Sequence, residues 1–343
     1  RKNILITGGA GFIGSNLAER LLKDGHNVLS IDDYSFGTKD NELDGVKYIN
    51  TDITNIDSLN TDFDLCFHLA AQSLVGPAYI NPIYTWETNL LGTVNILEAL
   101  RLVNKKCSAV IITSDKCYDN QEWVWGYKET DKLGGPDPYS ASKGAAEFAV
   151  SSYYRSFFSK QDFIRVASAR AGNVIGGGDW SELRIIPDCV RAWSQNKNLT
   201  LRNPSATRPW QHVFEPLSGY LQLAINLFDS NKLNGQSFNF GPSSEQNYSV
   251  KELVEQMSRF WKDSKWTANQ EVEEDFYESK LLKLNCEKAL FDLNWKSVLN
   301  FQENTKLTSE WYQMFYENES ELVDFSLNQI ASYEQIRKER ESR

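Results

Sequence analysis

The stretch Thr7-Gly8-Gly9-Ala10-Gly11-Phe12-Ile13-Gly14 decides the fold of this chain. It follows an apolar run at Asn3–Thr7 that predicts a β-strand, and it opens a segment with helical periodicity. In such a turn the first glycine permits a tight bend, the second lets the backbone approach a pyrophosphate, and the third lets helix and strand pack closely. The start of the helix presents free N–H groups and a positive dipole end to phosphates. The stretch therefore predicts a dinucleotide site at the beginning of a βαβ unit.

Short apolar runs alternate with helical segments up to about residue 175. The runs predict strands at Asn3–Thr7, Val28–Ile31, Lys47–Asn50, Leu65–Ala70, Ala109–Thr113 and Phe163–Ala169, and the segments between them predict helices such as Gly14–Lys23, Asn89–Leu102 and Tyr139–Phe158. Alternating strands and helices form right-handed crossovers around a parallel sheet. We therefore expect an α/β protein with a Rossmann-type, doubly wound parallel sheet.

The pattern changes after residue 175, where glycine-rich loops and aromatic-rich segments begin. We predict a dinucleotide-binding Rossmann domain over residues 1–175 and a smaller, mixed α/β C-terminal substrate-binding region over residues 176–343. Residues 210–242 are expected to return partly to the first domain, because Gln236–Phe240 has the composition of a further sheet strand.

An acidic residue marks the cofactor that the first domain would bind. The second predicted strand ends at Asp32, about 20 residues after the glycines, where a carboxylate accepts hydrogen bonds from both ribose hydroxyls. An anion there repels a 2′-phosphate, so NAD is favoured over NADP. Asp32 also suits the start of an Asx turn, and the neighbouring Asp33 leaves the assignment open by one residue. The other residues predicted to bind the cofactor are Gly8, Gly11, Phe12, Ile13, Gly14, Asp52, Ile53, Leu69, Ala70, Ala71, Tyr139 and Lys143.

Tyr139-Ser140-Ala141-Ser142-Lys143 places a phenol and an ammonium group four residues apart. On a helix both side chains lie on one face, and the cation is expected to lower the pKa of Tyr139. The phenol then becomes usable as a general base near neutral pH. Such pairs also occur on ordinary surface helices, but this one follows a dinucleotide motif and a strand that ends in Thr113-Ser114.

The glycine motif, the hydroxyl-bearing strand end and the Tyr139–Lys143 pair, in this order, resemble the extended short-chain dehydrogenase/reductase superfamily. His68-Leu69-Ala70-Ala71-Gln72 is similar to the superfamily's cofactor-lining strand end, and Thr88-Asn89-Leu90-Leu91-Gly92-Thr93 is similar to the helix after it.

Longer runs resemble one branch of that superfamily, the CDP-glucose 4,6-dehydratases. They are residues 113–123, 168–180 and 207–213. Two places depart from that branch: Gly8–Asn16 is more similar to the sugar-nucleotide epimerases, and Leu74-Val75-Gly76 lacks an expected arginine.

The resemblance implies loss of water through transient oxidation of the sugar at C4 by NAD. Tyr139 would take the C4 hydroxyl proton, Ser114 would hydrogen-bond the C4 oxygen, and Lys143 would hold the nicotinamide ribose. Asp115 would be the acid for the leaving C6 hydroxyl, a role that requires a raised pKa. Lys116 would be either the C5 base or a stabiliser of an enolate. A solvated charge pair at a strand end is the other interpretation of Asp115-Lys116.

The predicted substrate-binding residues are Gln72, Asn173, Arg184 and Arg208. The resemblance places Asn173 at the diphosphate of a nucleotide-sugar. Arg184 and Arg208 are candidates for the diphosphate or nucleotide, since arginine grips phosphate through two parallel hydrogen bonds, although Arg184 also fits a surface loop. Trp210 and His212 either shape the pocket or pack in the core.

Two other functions fit part of the pattern. A nucleotide-sugar 4-epimerase shares the first oxidation but has no need for the acid–base pair Asp115-Lys116. A catalytically idle NAD-binding protein is disfavoured by the complete set Ser114, Tyr139 and Lys143. No residue encodes the nucleotide base, so cytosine depends on the resemblance alone, and a 4,6-dehydratase for another nucleotide-sugar stays open.

The composition argues against other classes of partner and site. A formal net charge of -10 is unsuited to broad nucleic-acid binding, and no apolar run has the length of a membrane span. Five scattered cysteines and a start without a signal-peptide pattern predict a cytoplasmic protein with reduced thiols. The three histidines lack metal-ligand spacing, so no metal site is predicted. The resemblance also implies a homodimer, in which the helices Asn89–Leu102 and Tyr139–Phe158 would pair with their copies.

Overall fold

The computed structural model describes residues 1–56, 62–268 and 279–341. The strands are β1 (Asn3–Thr7), β2 (Asn27–Asp32), β3 (Val46–Asn50), β4 (Leu65–His68), β5 (Cys107–Ile112), β6 (Ile164–Ala171), β7 (Val174–Ile175), β8 (Asn198–Leu201), β9 (Thr207–Arg208), β10 (Gln211–His212), β11 (Ser237–Phe240), β12 (Tyr248–Ser249) and β13 (Lys265–Ala268). The α-helices are α1 (Phe12–Lys23), α2 (Val75–Ile80), α3 (Pro82–Trp86), α4 (Gly92–Arg101), α5 (Pro138–Ser156), α6 (Ile185–Ser194), α7 (Phe214–Asp229), α8 (Val250–Ser258), α9 (Glu287–Leu293), α10 (Phe301–Glu317) and α11 (Leu322–Glu341).

A seven-stranded parallel sheet has the order β11-β6-β5-β4-β1-β2-β3. The direction of winding reverses between β1 and β4, and ligands of open α/β sheets bind at the carboxyl ends of the strands beside such a reversal. The expected Rossmann-type, doubly wound sheet is thus confirmed. The strand predicted at Gln236–Phe240 joins it as β11, beside β6.

Two hydrophobic cores cover the faces of this sheet. Side chains alternate along a strand, so that Ile4 and Ile6 of β1 belong to one core and Leu5 to the other. The first core includes residues of α1, α7 and α11, and the second includes residues of α4 and α5. Because β4 and β5 are covered on both sides, they consist of buried residues throughout.

The helix predicted at Asn89–Leu102 begins irregularly. A π-helical turn at Glu87–Leu91 precedes α4, and the Thr93 hydroxyl donates to the Asn89 carbonyl at 2.7 Å. The Asn89 amide donates to the Gln72 carbonyl at 2.9 Å and to Ser142 Oγ at 3.0 Å. These bonds tie the turn to the end of β4 and to α5, and they place residues 72–74 at the edge of the sheet.

The second half forms small two-stranded sheets, β7 with β10, β9 with β12 and β8 with β13. With α6, α8 and α10 they enclose a third core around residues such as Trp193, Leu253 and Tyr312. The last helix leaves this region: Glu334 of α11 forms ion pairs with Arg20 and Lys23 of α1. Part of the C-terminal segment therefore covers the dinucleotide half, which a boundary at residue 175 does not predict.

The five cysteines are all free thiols. Among the helices that the structure describes, none has the length and apolar character required to cross a membrane.

Candidate active site

A cavity of about 660 Å³ extends from the glycine-rich turn along the carboxyl ends of the sheet strands to β8. The predicted site residues that line it are Gly8, Gly11, Phe12, Ile13, Gly14, Asp32, Asp52, Ile53, Leu69, Ala70, Ala71, Ser114, Asp115, Lys116, Tyr139, Lys143, Asn173, Arg184 and Arg208. They come from positions far apart in the sequence. The strand ends of the parallel sheet supply many of them, whereas Arg208 lies on β9 and Arg184 lies at the start of α6.

The glycine-rich turn leaves room where a pyrophosphate would lie. Gly8 has a φ of +79°, and a Cβ on it would meet the Ala70 nitrogen at 2.8 Å. A Cβ on Gly14 would lie 2.0 Å from the Gly8 carbonyl oxygen. Gly11 is different: a Cβ there would meet only that same oxygen, at 3.3 Å, and no side chain caps the helix that begins beside it. The open space and the uncapped N–H groups fit an anion at this end of α1.

Asp32 closes the turn from the side of β2. Its Oδ2 accepts from the Ala10 N–H at 2.9 Å, and its Oδ1 accepts from the Tyr34 N–H at 2.8 Å. Burial raises the pKa of Asp32, and these two backbone hydrogen bonds act against the rise. Asp33 instead accepts from the Ser35 N–H at 2.9 Å in an exposed turn. Asp32 therefore forms the Asx turn and also contacts the glycine-rich turn, which makes it the better placed of the two for a ribose.

The prediction that Gln72 binds substrate is wrong. This side chain is fully buried behind the cavity wall. Its Nε2 donates to the Leu74 carbonyl at 2.9 Å and to Thr85 Oγ1 at 3.0 Å, and its Oε1 accepts from the Leu74 N–H at 2.6 Å. All of these hydrogen bonds stabilise the backbone around residues 72–74, and the adjacent Ser73 lines the cavity instead.

Tyr139 and Lys143 lie on successive turns at the start of α5, where the Asp137 side chain caps the helix through the Ser140 N–H. Both side chains are buried at the cavity. Burial raises the pKa of Tyr139 to about 12, against the lowering effect of a hydrogen bond with Ser114. Burial also lowers the pKa of Lys143 to about 8. The predicted lowering of the Tyr139 pKa is thus wrong for this structure, because desolvation of the phenol outweighs the hydrogen bond with Ser114 and the charge of Arg184.

Asp115 follows β5 on a short 3₁₀ turn and is held at both carboxyl oxygens. Ser114 Oγ donates to Oδ1 at 3.1 Å, and the Asn173 amide donates to Oδ2 at 3.1 Å. The side chain is 3% exposed, and burial raises its pKa against the charges of Lys116 and Arg208. The structure thus excludes a solvated pair for Asp115 and gives its carboxyl the direction of pKa shift that a general acid needs.

The two arginines also line the cavity. Arg184 donates to Asp179 Oδ2 at 3.2 Å and to Ser73 Oγ at 3.1 Å, so it is fixed in the cavity wall rather than on a surface loop. Arg208 is buried on β9 and donates to the Thr207 carbonyl at 2.8 Å.

Trp210 and His212 have separate roles. Trp210 lines the cavity, and its indole N–H donates to the Tyr248 carbonyl at 3.0 Å. His212 is buried against Phe214, and burial lowers its pKa to about 3. Trp210 therefore shapes the pocket while His212 belongs to the packing behind it.

Ser114, Asp115, Tyr139 and Lys143 are called the catalytic cluster below. Sequence reasoning missed a buried ion pair next to this cluster, at Glu147 and Arg170. Glu147 lies one turn beyond Lys143 on α5, and its Oε2 accepts from Arg170 at 2.8 Å. Thr113 and Ser168 donate to the same carboxylate at 2.5 Å and 2.7 Å. The spacing Tyr139, Lys143, Glu147 is a signal that would have placed all three on one helix face.

No group of three or more His, Cys, Asp or Glu side chains suited to a metal ion occurs within the described ranges. The uncapped turn at Gly11, the Asp32 carboxylate and the buried Lys143 fit a dinucleotide cofactor.

Comparison with known proteins connects this geometry to a family. Residues 5–308 match the model of the GDP-mannose 4,6-dehydratase family. The chain belongs to this family. A CDP-glucose 4,6-dehydratase of Salmonella typhimurium is 42% identical over 275 residues, which cover 79% of this chain and 76% of that protein.

Solved structures have the same architecture as this member of the GDP-mannose 4,6-dehydratase family. Pal from Bacillus thuringiensis matches with a TM-score of 0.78 and 28% identity, over 91% of this chain and 99% of that one. A dTDP-glucose 4,6-dehydratase from Bacillus anthracis, solved in complex with NAD, matches with a TM-score of 0.74 and 23% identity, over 94% and 98%. The family match and the relative from Salmonella typhimurium confirm the resemblance to the extended short-chain dehydrogenase/reductase superfamily, and the solved structures show the same fold.

Proposed function

We propose that this protein is an NAD-dependent CDP-glucose 4,6-dehydratase, a lyase that converts CDP-glucose to CDP-4-keto-6-deoxyglucose with loss of water. The observation that carries the proposal is the buried Asp115, whose pKa is raised, directly beside the hydroxyls of Ser114 and Tyr139. A 4-epimerase needs the two hydroxyls but not the acid. The CDP-glucose assignment is supported by the relative from Salmonella typhimurium.

The first step is oxidation of the sugar at C4. When bound, NAD would supply a reversible hydride acceptor: the hydride removed from C4 would be added at C6 after elimination, as Lys116 returns a proton to C5. Tyr139 accepts the proton of the C4 hydroxyl, while Ser114 holds the C4 oxygen. The hydrogen bond with Ser114 and the charge of Arg184 favour the ionised phenol. Lys143, on the next helical turn, would hold the nicotinamide ribose.

The second step is elimination across C5 and C6. The 4-keto group acidifies the C5 hydrogen, and Lys116 takes that proton. The electron pair of the broken C5–H bond forms the C5–C6 double bond. The C6–O bond breaks as Asp115 gives its proton to the departing hydroxyl, so that one water is released.

The substrate lies between the two halves of the chain in this proposal, with residues 1–175 binding the cofactor and residues 176–343 binding the nucleotide-sugar. Arg184 and Arg208 supply positive charge for the diphosphate at the cavity end that includes β8. Asn173 lines the same cavity and donates to Asp115 Oδ2 at 3.1 Å.

The test is incubation of the purified protein with CDP-, dTDP-, GDP- and UDP-hexoses in separate reactions, followed by mass measurement of the products. Loss of one water from CDP-glucose alone is the expected result. Loss of water from a different nucleotide-sugar would keep the mechanism and overturn the cytosine assignment. An unchanged mass with altered stereochemistry would move the protein to the 4-epimerases.

We further propose a homodimer that assembles through α2 to α5. Apolar side chains on these helices are exposed, among them Ile80 (80%), Ile83 (68%) and Phe148 (63%). The helices α2 and α3 pack against α5, so the exposed residues belong to neighbouring elements. A large exposed apolar patch is typical of an interaction surface. The five free thiols support a cytoplasmic location.

Light scattering after size-exclusion chromatography tests the dimer. Ile83→Glu and Phe148→Glu should each yield monomers, while Ile225→Glu, at a position 49% exposed on α7, should leave the dimer intact. A dimer that persists in both interface variants would contradict this arrangement.

A further inference from the structure

We propose that Asn173 is a positioning residue for the acid: its amide holds one oxygen of the Asp115 carboxyl group and confines the acidic proton to the other oxygen, which lies beside Ser114. This inference rests on the proposed dehydratase function and assigns a part of its elimination step to a residue expected only to contact substrate.

The two oxygens of Asp115 have partners of different chemistry. Oδ2 accepts from the Asn173 Nδ2 at 3.1 Å, and Oδ1 accepts from Ser114 Oγ at 3.1 Å. An amide nitrogen donates hydrogen bonds and accepts none, whereas a hydroxyl does both. A proton on Oδ2 would face the amide hydrogens, but a proton on Oδ1 can be accommodated by turning the Ser114 hydroxyl. The proton of the neutral acid therefore belongs on Oδ1.

The backbone conformation around Asn173 places its amide against the Asp115 carboxyl group. Asn173 has a φ of +55°, a left-handed conformation that asparagine tolerates better than most residues. Its carbonyl accepts from the Gln211 N–H at 3.1 Å, which holds the turn in place. A Cβ on the preceding Gly172 would lie 2.1 Å from the Asp115 carboxyl group. Gly172 thus leaves the space that the Asp115 carboxyl group occupies, and Asn173 supplies a hydrogen bond to it.

The position of the proton decides whether the acid is productive. When Ser114 turns to the C4 oxygen of the sugar, Oδ1 is freed for the C6 hydroxyl, while Asn173 still anchors Oδ2. The proton then passes from Oδ1 to the departing hydroxyl as the C6–O bond breaks. Without the amide, the carboxyl group rotates and the proton occupies either oxygen.

The charged and titratable groups that act on Asp115 are Lys116, Arg208, Tyr139, Tyr220 and Cys117. Lys116 and Arg208 favour the carboxylate, and the amide of Asn173 donates to it as well. Loss of this donor removes a hydrogen bond that favours the ionised form, so the pKa of Asp115 must rise further. The alkaline limb of the water-loss rate then moves to higher pH.

A double-mutant cycle tests the coupling. Asn173→Gly keeps the left-handed backbone and removes the amide, and it is made in the parental protein and in Asp115→Asn. With saturating CDP-glucose in a single turnover, the absorbance of the reduced nicotinamide follows C4 oxidation and product mass follows water loss. In the parental protein, Asn173→Gly should slow water loss about 10- to 100-fold, because it removes a hydrogen bond to the carboxylate that forms as Asp115 gives up its proton. Reduced cofactor should accumulate. In Asp115→Asn it should cause no further loss.

An equal loss in the Asp115→Asn background, or a rise in KM with kcat unchanged, would show that Asn173 only binds substrate and would overturn the proposal. Gly172→Ala is an independent second variant, because it displaces the carboxyl group with the Asn173 amide still present. It too should accumulate reduced cofactor, and circular dichroism checks that both variants are folded.

A measurement without substrate separates this inference from the proposed function. Carbon NMR of the Asp115 carboxyl group in the purified protein should give a higher titration midpoint for Asn173→Gly than for the parent. An unchanged midpoint overturns the positioning role even if the protein is a dehydratase. If the parental protein removes water from no nucleotide-sugar, the proposed function is overturned. The titration still shows whether the Asn173 amide acts on the Asp115 carboxyl group.

Discussion

Removal of the Glu147 carboxylate should destabilise the protein far more than removal of a surface carboxylate. Glu147 and Arg170 form an ion pair at 2.8 Å, with side chains only 2% and 3% exposed. In Glu147→Ala, Arg170 keeps hydrogen bonds to the Tyr118 hydroxyl and the Glu129 carbonyl but loses its counter-charge. A buried guanidinium without a carboxylate is then left next to the catalytic cluster.

The size of the effect follows from burial. Breaking a buried pair by deleting one partner costs about 3–5 kcal/mol of unfolding free energy, because the remaining charge stays desolvated. The matched control is Glu255→Ala, whose pair with Lys251 spans 3.7 Å on the surface of α8 with side chains about half exposed. An exposed helix pair of this kind contributes about 0.3–0.5 kcal/mol.

Urea unfolding followed by tryptophan fluorescence measures both variants. The midpoint of Glu147→Ala should fall well below that of Glu255→Ala. The double variant Glu147→Leu/Arg170→Met should recover much of the loss, because it removes the unpaired charge as well. Similar midpoints for Glu147→Ala and Glu255→Ala, or a double variant less stable than Glu147→Ala, would refute the reasoning.

Three further predictions concern catalysis and the cofactor. Tyr139→Phe should abolish C4 oxidation and leave the unfolding midpoint near that of the parent, since only a hydroxyl is lost; near-normal turnover would remove Tyr139 from the role of base. The charge of Glu147 raises the pKa of Lys143, against the lowering effect of burial. Glu147→Gln should therefore shift the alkaline limb of the pH profile for C4 oxidation to lower pH. An unchanged pH profile would show that Lys143 does not control this limb. Phe36 and Tyr84 line the cavity from separate segments, with ring centroids 6.3 Å apart. Tyr84→Ala, which removes the ring, should therefore increase the rate of NAD dissociation about 2- to 10-fold, and Tyr84→Phe, which keeps it, should not. Stopped-flow displacement of bound cofactor measures the two rates, and equal rates would contradict a role for the ring pair.

The fold and part of the cofactor site could be predicted because their causes are local in the chain. A turn with Gly8, Gly11 and Gly14 works through backbone geometry within eight residues, and alternating apolar runs predict a parallel sheet without knowledge of its partners. Tyr139 and Lys143 share a helix face because they are four residues apart. The same kind of spacing would also have found Glu147.

Tertiary structure alone decided which groups are buried and what they contact. Gln72 follows a cofactor-lining segment in sequence, yet its amide turns away from the cavity to bind residues 74 and 85. The pKa of Tyr139 rises instead of falling, because burial disfavours the ionised phenol. The contact between Asp115 and Asn173 joins the ends of two neighbouring strands and depends on Gly172 leaving room for a carboxyl group. Sequence determined which chemical groups arrive at the edge of the sheet, because strand ends and helix faces follow from local spacing. Packing between distant segments determined how each group is solvated and held, because burial and hydrogen bonding depend on what the rest of the chain places beside it.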